Sequence, residues 1–372
     1  MLKGICIIDF SQYLPGPYTT LRLADLGAEV IKVESPSGDP ARLPPEKDGG
    51  DRYVFRAQNR GKKSITLNLK ERRDQRIAMD LIKQADVVIE SFRPGVTKRL
   101  GISYEEVVKE KPDIVYCSLS GYGQEGEMSH LGSHDINYMA VSGVLSQLKD
   151  DNDRPIHPST TIADLVGGVA ASESIVAALL QKERTGKGAY LDIALADVMV
   201  TLMTNHVLIE SGTGGQRGIE RVHKQVVCYS LYETQDGRFI SFGALEPKFW
   251  GNFCSAVGKE QWLSEQFSAP VETNPIYVEI KELFMSRTFE EWTIFSQQVD
   301  CCMAPVLETG EVAHYPYYKT RKLVEERWGD NYVATRFNNG QSLLENSTFP
   351  PKHGEHTEDV LEKLAQYSKT KR

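Results

Sequence analysis

The sequence predicts an α/β protein whose large domain is built on a parallel, doubly wound sheet and is followed by a smaller α+β domain. Two observations carry this. Short apolar runs alternate with helical patterns through the first two hundred or so residues, and a glycine-rich stretch then gives way to a hairpin signal. Ile5 to Asp9 reads as a strand, Pro17 to Leu26 as a helix with proline near its first turn, and Glu29 to Glu34 as the next strand. The pattern continues with strands at Ser64–Leu69, Asp86–Ile89 and Ile114–Ser118 and an amphipathic helix over Arg72–Gln84. Strands that alternate with helices are joined by right-handed crossovers, so the sheet is parallel. Val166, Val169, Ile175, Ala178 and Leu179 place a long helix over Asp164–Gln181, and the strand Tyr190–Ile193 follows it.

Gly212 to Gly218 has linker composition. Beyond it, Cys228–Glu233 and Arg238–Gly243 flank Thr234-Gln235-Asp236-Gly237, a hairpin signal, and Lys248–Val257 reads as a helix. The expected organisation is a large domain from 1–200 with 320–372, a small domain at 222–310, and linkers at 201–221 and 311–319. The last forty residues are expected to return to the large domain or to wrap a partner.

Composition narrows the function classes. The chain has 372 residues, 40% of them hydrophobic and 25% charged, which suits a globular protein with a sizeable core. A net charge of −8 argues against general nucleic-acid binding, which depends on a basic surface. No leader-like N-terminus is visible, and the apolar segments Asp164–Leu180 and Ala194–Ile209 are interrupted by polar and charged residues, so no membrane partner is expected. The six cysteines are scattered, without CxxC spacing, which fits reduced thiols and a cytoplasmic location. HExxH, P-loop and GxSxG patterns are missing and no GxGxxG follows the first strand, so metal hydrolysis, nucleotide hydrolysis, serine esterase and dinucleotide redox chemistry lose support.

Several segments could carry chemistry. Gly16-Pro17 lies at the end of the first strand, where such sheets form ligand crevices, though a plain turn explains it as well. Asn59-Arg60-Gly61-Lys62-Lys63, with Arg52 and Arg56 upstream, is either a local anion site or a solvated charge run. Arg93-Pro94-Gly95 and Lys98-Arg99 form a second basic cluster. If the two clusters converge, they suit a ligand with several phosphates and a long neutral arm, such as coenzyme A. His134, beside Asp135, is either a proton shuttle or a helix-start residue with Asp135 as the cap. Asp164 either caps the long helix or acts as a carboxylate favoured by the helix dipole. Glu246, between a strand and a helix, either holds a protonated histidine or begins the helix before Pro247.

In their order, the segments Gly16-Pro17, Leu26 to Glu34, Asn59 to Ile65, Ala85 to Glu90, Arg93-Pro94-Gly95 and Gly186-Lys187-Gly188 resemble the class III CoA-transferase superfamily. Within it the chain looks most like the α-methylacyl-CoA racemases. The resemblance runs from about Leu2 to Val312 and implies a Rossmann-like large domain, a small domain, and a homodimer of two chains interlocked like links. Ser133-His134-Asp135-Ile136-Asn137-Tyr138 matches a racemase motif, with Ser for Gly, which implies His134 as one catalytic base. The aspartate opening the long helix matches Asp164, the implied second base in racemases and the acyl-anhydride carboxylate in transferases. Gly243-Ala244-Leu245-Glu246-Pro247 matches the motif that supplies the implied histidine partner, Glu246. For coenzyme A, which enters as a thioester substrate and not as a prosthetic group, the resemblance implies contacts from Leu67, Asn68, Lys70, Arg93, Arg99 and Asp135. No metal is implied.

The chain also departs from the family pattern. An arginine of several relatives is Ser35 here, with Arg42 as its expected substitute, and a supporting asparagine falls on Thr160. A racemase Gly-Gly-Ala-Pro is Lys224-Gln225-Val226-Val227, and the glutamine before Gly-Pro in formyl-CoA transferase is replaced by Leu14-Pro15. The expected activity is racemisation of a 2-methylacyl-CoA, with CoA transfer between carboxylic acids as the alternative.

Overall fold

Six parallel strands organise the first part of the chain: β1 (Cys6–Asp9), β2 (Glu29–Glu34), β3 (Lys63–Thr66), β4 (Val87–Glu90), β5 (Val115–Ser120) and β6 (Ala189–Ala194). The computed structural model describes all residues except 46–50, 151, 219–224, 337–340, 343, 346, 371 and 372. It divides into two units, Met1–Thr204 with Pro316–Arg372, and Asn205–Tyr315. In the first unit the strand order is β3-β2-β1-β4-β5-β6, with every neighbouring pair parallel. The order reverses between β1 and β4, and sheets of this kind open their ligand crevice there, beyond the carboxyl ends of the strands.

Strands buried on both faces need apolar side chains in both directions: Val87-Val88-Ile89 of β4 form a continuous run, whereas β2 carries Lys32 and Glu34 buried beside Val30, Ile31 and Val33. Ile7, Val30, Val87 and Val115 pack on one side, with Ala171 and Ile175 of the helix Ile162–Thr185. Ile8, Ile31, Ile65 and Val88 pack on the other, with Ala78 and Leu81 of the helix Arg72–Ile82 and with Val360 and Leu364 of the last helix, Thr357–Thr370. The returning segment is tied to the edge strand by hydrogen bonds from the His356 N–H to the Ser64 carbonyl (2.8 Å) and from the Gly354 N–H to Ser64 Oγ (2.9 Å).

The long helix begins at Ile162, so Asp164 is its third residue and not its cap. Contrary to the expected interruption by charge, an 18-residue window of this helix has a mean hydropathy of 1.6 and could cross a bilayer by length and composition. In this fold it is a core helix, packed against the helix Pro15–Ala24 and strands β5 and β6.

The basic run before β3 is spent inside the first unit, as neither the anion site nor the solvated charge run that the sequence left open. Arg60 is buried and grips Asp25 with two hydrogen bonds of 2.5 and 2.8 Å. Lys62 is buried beside Asp9 (3.6 Å) and donates to the Pro17 carbonyl (2.8 Å) and Asn59 Oδ1 (2.9 Å). Lys63 pairs with Glu29, and Arg56 with Asp330. The two basic clusters do not converge as expected either: Asn59 to Lys63 enters β3 at its amino end, whereas Arg93 to Arg99 follows the carboxyl end of β4, at opposite ends of a parallel sheet. Arg42 is also committed: it is buried, bonded to both Glu34 oxygens (2.8 and 2.7 Å) and to Asp51 (2.6 Å), and stacked 3.5 Å over the Phe55 ring. It therefore cannot substitute for a ligand-binding arginine at Ser35.

In the second unit β7 (Tyr229–Glu233), β8 (Phe239–Gly243) and β9 (Met303–Pro305) form an antiparallel sheet in that order. Its core is aromatic: Tyr232 stacks on Phe284 at 4.5 Å, and Phe242, Phe253, Trp250 and Trp292 surround them. Val226 and Val227, in place of the racemase Gly-Gly-Ala-Pro, are buried in this core, while Lys224 of the same stretch lies outside the described residues. Two further strands, β10 (Val324–Arg327) and β11 (Asp330–Val333), form an antiparallel hairpin in the first unit.

Candidate active site

The helix Asp135–Val141 starts with His134 as its N-cap residue. The His134 backbone N–H donates to Asn137 Oδ1 at 3.0 Å, and the imidazole is exposed. Asp135 does not cap its own helix. Its carboxylate accepts the backbone N–H of Asp164 at 2.9 Å and so satisfies an orphan donor in the first turn of the long helix, whose own N-cap residue, Thr161, makes no side-chain cap. This bond brings two segments 29 residues apart together and sets the His134 helix start beside Asp164.

Asp164 is half-buried, and no hydrogen bond or ion pair to its carboxylate is formed among the described residues. Burial, reinforced by the negative charge of Asp135, pushes its carboxyl up to about 7. The helix dipole, which favours the ionised form, is therefore opposed by stronger local effects. The Tyr138 phenol completes the surroundings. Its hydroxyl is bonded to Ser133 Oγ (3.0 Å), and burial together with the Asp164 charge raises it above the ordinary tyrosine value even though that bond works the other way.

Two glycines show how the site is assembled. Gly168 shares a helix face with Asp164, four residues on. A Cβ there would stand 2.9 Å from both the Pro15 carbonyl and the Tyr18 ring, so only glycine lets the helix Pro15–Ala24 approach one turn from Asp164. At Gly132 the Arg93 guanidinium, the movable end of a long side chain, lies 2.7 Å from where a Cβ would be. Arg93 thus reaches from the end of β4 to the segment that carries His134. Close-approach glycines are a sequence signal, but one that does not name the partner.

Of the residues expected at the coenzyme, Leu67 is buried in the core and its N–H is taken by the Glu34 carbonyl (2.9 Å), so its side chain cannot meet a ligand. Asn68 makes the turn after β3, accepting the Lys70 N–H at 3.2 Å and presenting its own N–H to Asp74 at 2.7 Å. Lys70, Arg93 and Arg99 are exposed. Gly16 and Pro17 lie within the helix Pro15–Ala24, and Thr160 is exposed just before the long helix. Glu246 belongs to the second unit, where it is exposed and is the N-cap residue of the helix Pro247–Ala256. Among the described residues no three His, Cys, Asp or Glu side chains gather as a metal site.

The model of CoA-transferase family III matches residues 2–357. The chain is 32% identical to the alpha-methylacyl-CoA racemase of Homo sapiens, covering 98% of this chain and 93% of that protein. It is 30% identical to the acetyl-CoA:oxalate CoA-transferase of Acetobacter aceti, covering 88% and 86%. A crystal structure of a CAIB/BAIF family protein from Brucella suis superposes with a TM-score of 0.85 at 25% identity, covering 98% of this chain and 99% of that one.

Proposed function

Because the chain belongs to CoA-transferase family III, an enzyme family of acyl-CoA chemistry, we propose that it racemises the α-carbon of a 2-methylacyl-CoA by proton transfer between His134 and Asp164. The observation that carries this reading is the bond from the Asp164 N–H to Asp135, which draws the histidine and the aspartate to one place. A carboxyl held near 7 supports it, since a group that must alternate between acid and base works best when its pKa lies near the operating pH. The thioester carbonyl acidifies the α-carbon. One base takes the α-proton, the electron pair moves into the carbonyl to give an enolate, and the other base returns a proton to the opposite face. Glu246 is assigned to orienting the imidazole. Coenzyme A is assigned to the carboxyl edge of the sheet, from Asn68 and Lys70 after β3 to Arg93 and Arg99 after β4. Three strand spacings separate β3 from β4, roughly 14 Å, so the ligand lies elongated across the edge.

The alternative is CoA transfer through an anhydride on Asp164. It is favoured by a carboxylate whose oxygens have no hydrogen-bond partner among the described residues and are therefore open to an acyl carbon. One experiment separates the two. A single enantiomer of a 2-methylacyl-CoA in deuterated water is expected to gain α-deuterium and lose optical purity without added acid. CoA exchange that requires a free carboxylic acid, with no α-deuterium, would replace racemisation by transfer. His134→Ala is expected to abolish racemisation, and near-normal turnover would remove His134 from the mechanism.

A further inference from the structure

A cavity of about 630 Å³ opens beside the long helix in the first unit. Its walls include Leu165, the residue after Asp164, and Tyr18, whose ring meets Gly168 one turn further on. Leu21 extends the same wall, while Ala57 of the helix Tyr53–Asn59 and Val333 of β11 face it from other elements. We infer that this cavity receives the hydrocarbon part of the acyl chain, so that Ala57 and Val333 set the chain length the enzyme accepts. The inference rests on the acyl-CoA reading and adds to it a class of acyl group and the residues that select it.

Charge decides between a hydrocarbon and a dicarboxylic acyl group. The cationic side chains at the cavity already have partners. Arg56 is paired with Asp330, and Arg22 donates to Ser172 Oγ (3.0 Å) and the Thr335 carbonyl (2.8 Å). A distal carboxylate would have to displace Asp330 from Arg56 or settle beside that carboxylate with only Arg56 Nε and the Tyr332 hydroxyl, which have no hydrogen-bond partner among the described residues, to meet it. A methylene chain loses nothing there and gains from leaving water. The volume falls in the range of pockets that enclose small ligands, well beyond what a two-carbon acyl group fills. Tyr53 and Val333 are 60% and 58% exposed, so apolar wall stands open for such a chain to cover.

Because Ala57 and Val333 are exposed, Ala57→Phe and Val333→Phe fill the cavity without disturbing the core. Each is expected to lower kcat/KM for 2-methyldecanoyl-CoA by roughly tenfold or more, chiefly through KM. Turnover of 2-methylbutanoyl-CoA and the melting temperature should stay at the wild-type values. Equal losses with both thioesters in both variants, or no loss in either, would overturn the inference. A crystal structure with S-decyl coenzyme A, an unreactive thioether, tests the site whether or not the protein turns over a thioester. A decyl chain between Leu165 and Val333 supports it, and a chain lying elsewhere sinks it. A wild-type enzyme that racemises nothing yet places the decyl chain in the cavity would contradict the proposed reaction alone.

Discussion

Asp164→Asn is expected to lower acyl-CoA turnover by roughly 10²–10⁴-fold, the usual contribution of a positioned acid or base. The carboxamide keeps the shape and leaves the backbone N–H bonded to Asp135, so the loss reports on the carboxyl group itself. The same change should stabilise the fold. The carboxyl is raised from 3.8 to about 7, so between those values the folded chain holds a proton that the unfolded chain has released. Stability contributed by this group is full below about pH 4, declines up to about pH 7, and stays reduced above that. The variant should therefore match the wild type at pH 4 and exceed it at pH 8, by at most roughly 4 kcal/mol, less because the side chain is only half-buried. Denaturant melts at the two pH values check this. Turnover within threefold of wild type would exclude Asp164 from the reaction.

Lys32→Met carries the largest expected loss of stability. Lys32 is buried on β2 in register with Asp9 of β1; its ammonium group lies 2.8 Å from Asp39 and donates to the Ser11 carbonyl at 2.8 Å. Burial alone would lower its pKa, but Asp9, Asp39 and Glu34 together hold it above the ordinary lysine value. Conversely, burial would raise the Asp9 carboxyl, and Lys32, Lys62 and the Ser11 and Thr20 hydroxyls pull it below the ordinary value. Removing the lysine leaves Lys62 as the cation against Asp9 among the described residues, an amine that burial, with the charge of Lys32 adding to it, pushes down to about 7 in the wild type. Breaking such a pair by deleting one partner costs about 3–5 kcal/mol. Asp9, depressed in the wild type, contributes stability above its unfolded pKa. The deficit of the variant should thus be full at neutral pH and shrink only below about pH 4, as the pH falls from the unfolded value of 3.8 through the lower folded one. A deficit below about 1 kcal/mol at pH 7, the scale of an exposed pair, would show that the cluster is not the keystone of the β1–β2 edge.

The sheet was legible because parallel strands buried on both faces leave short, mainly β-branched runs, as in Val87-Val88-Ile89 and, around Lys32, in Val30-Ile31 and Val33. Charge was not legible in the same way. Arg60 and its partner Asp25 are 35 residues apart, and Arg42 reaches back to Glu34 from a short 3-10 turn. A sequence displays the cations without their partners, so buried ion pairs read as an anion site. The start of the long helix shifted by two residues because Ile162 and Ala163 extend its apolar pattern, which turned Asp164 from a cap into an interior residue. At the site, residue chemistry alone left His134 and Asp164 open between catalysis and capping, and only the family resemblance singled them out. The role of Asp135 as the clasp between their two helices was invisible, since it depends on a contact across the fold.

Exchange of the α-proton by the single-base variants tests the central claim most directly. With two bases facing opposite sides of one carbon, His134→Ala should still exchange the α-proton of one enantiomer of a 2-methylacyl-CoA with deuterated water, and Asp164→Asn that of the other, while neither racemises. If both variants retain exchange with the same enantiomer, or both keep exchange with each, the imidazole and the carboxyl do not stand on opposite faces and the two-base account is wrong.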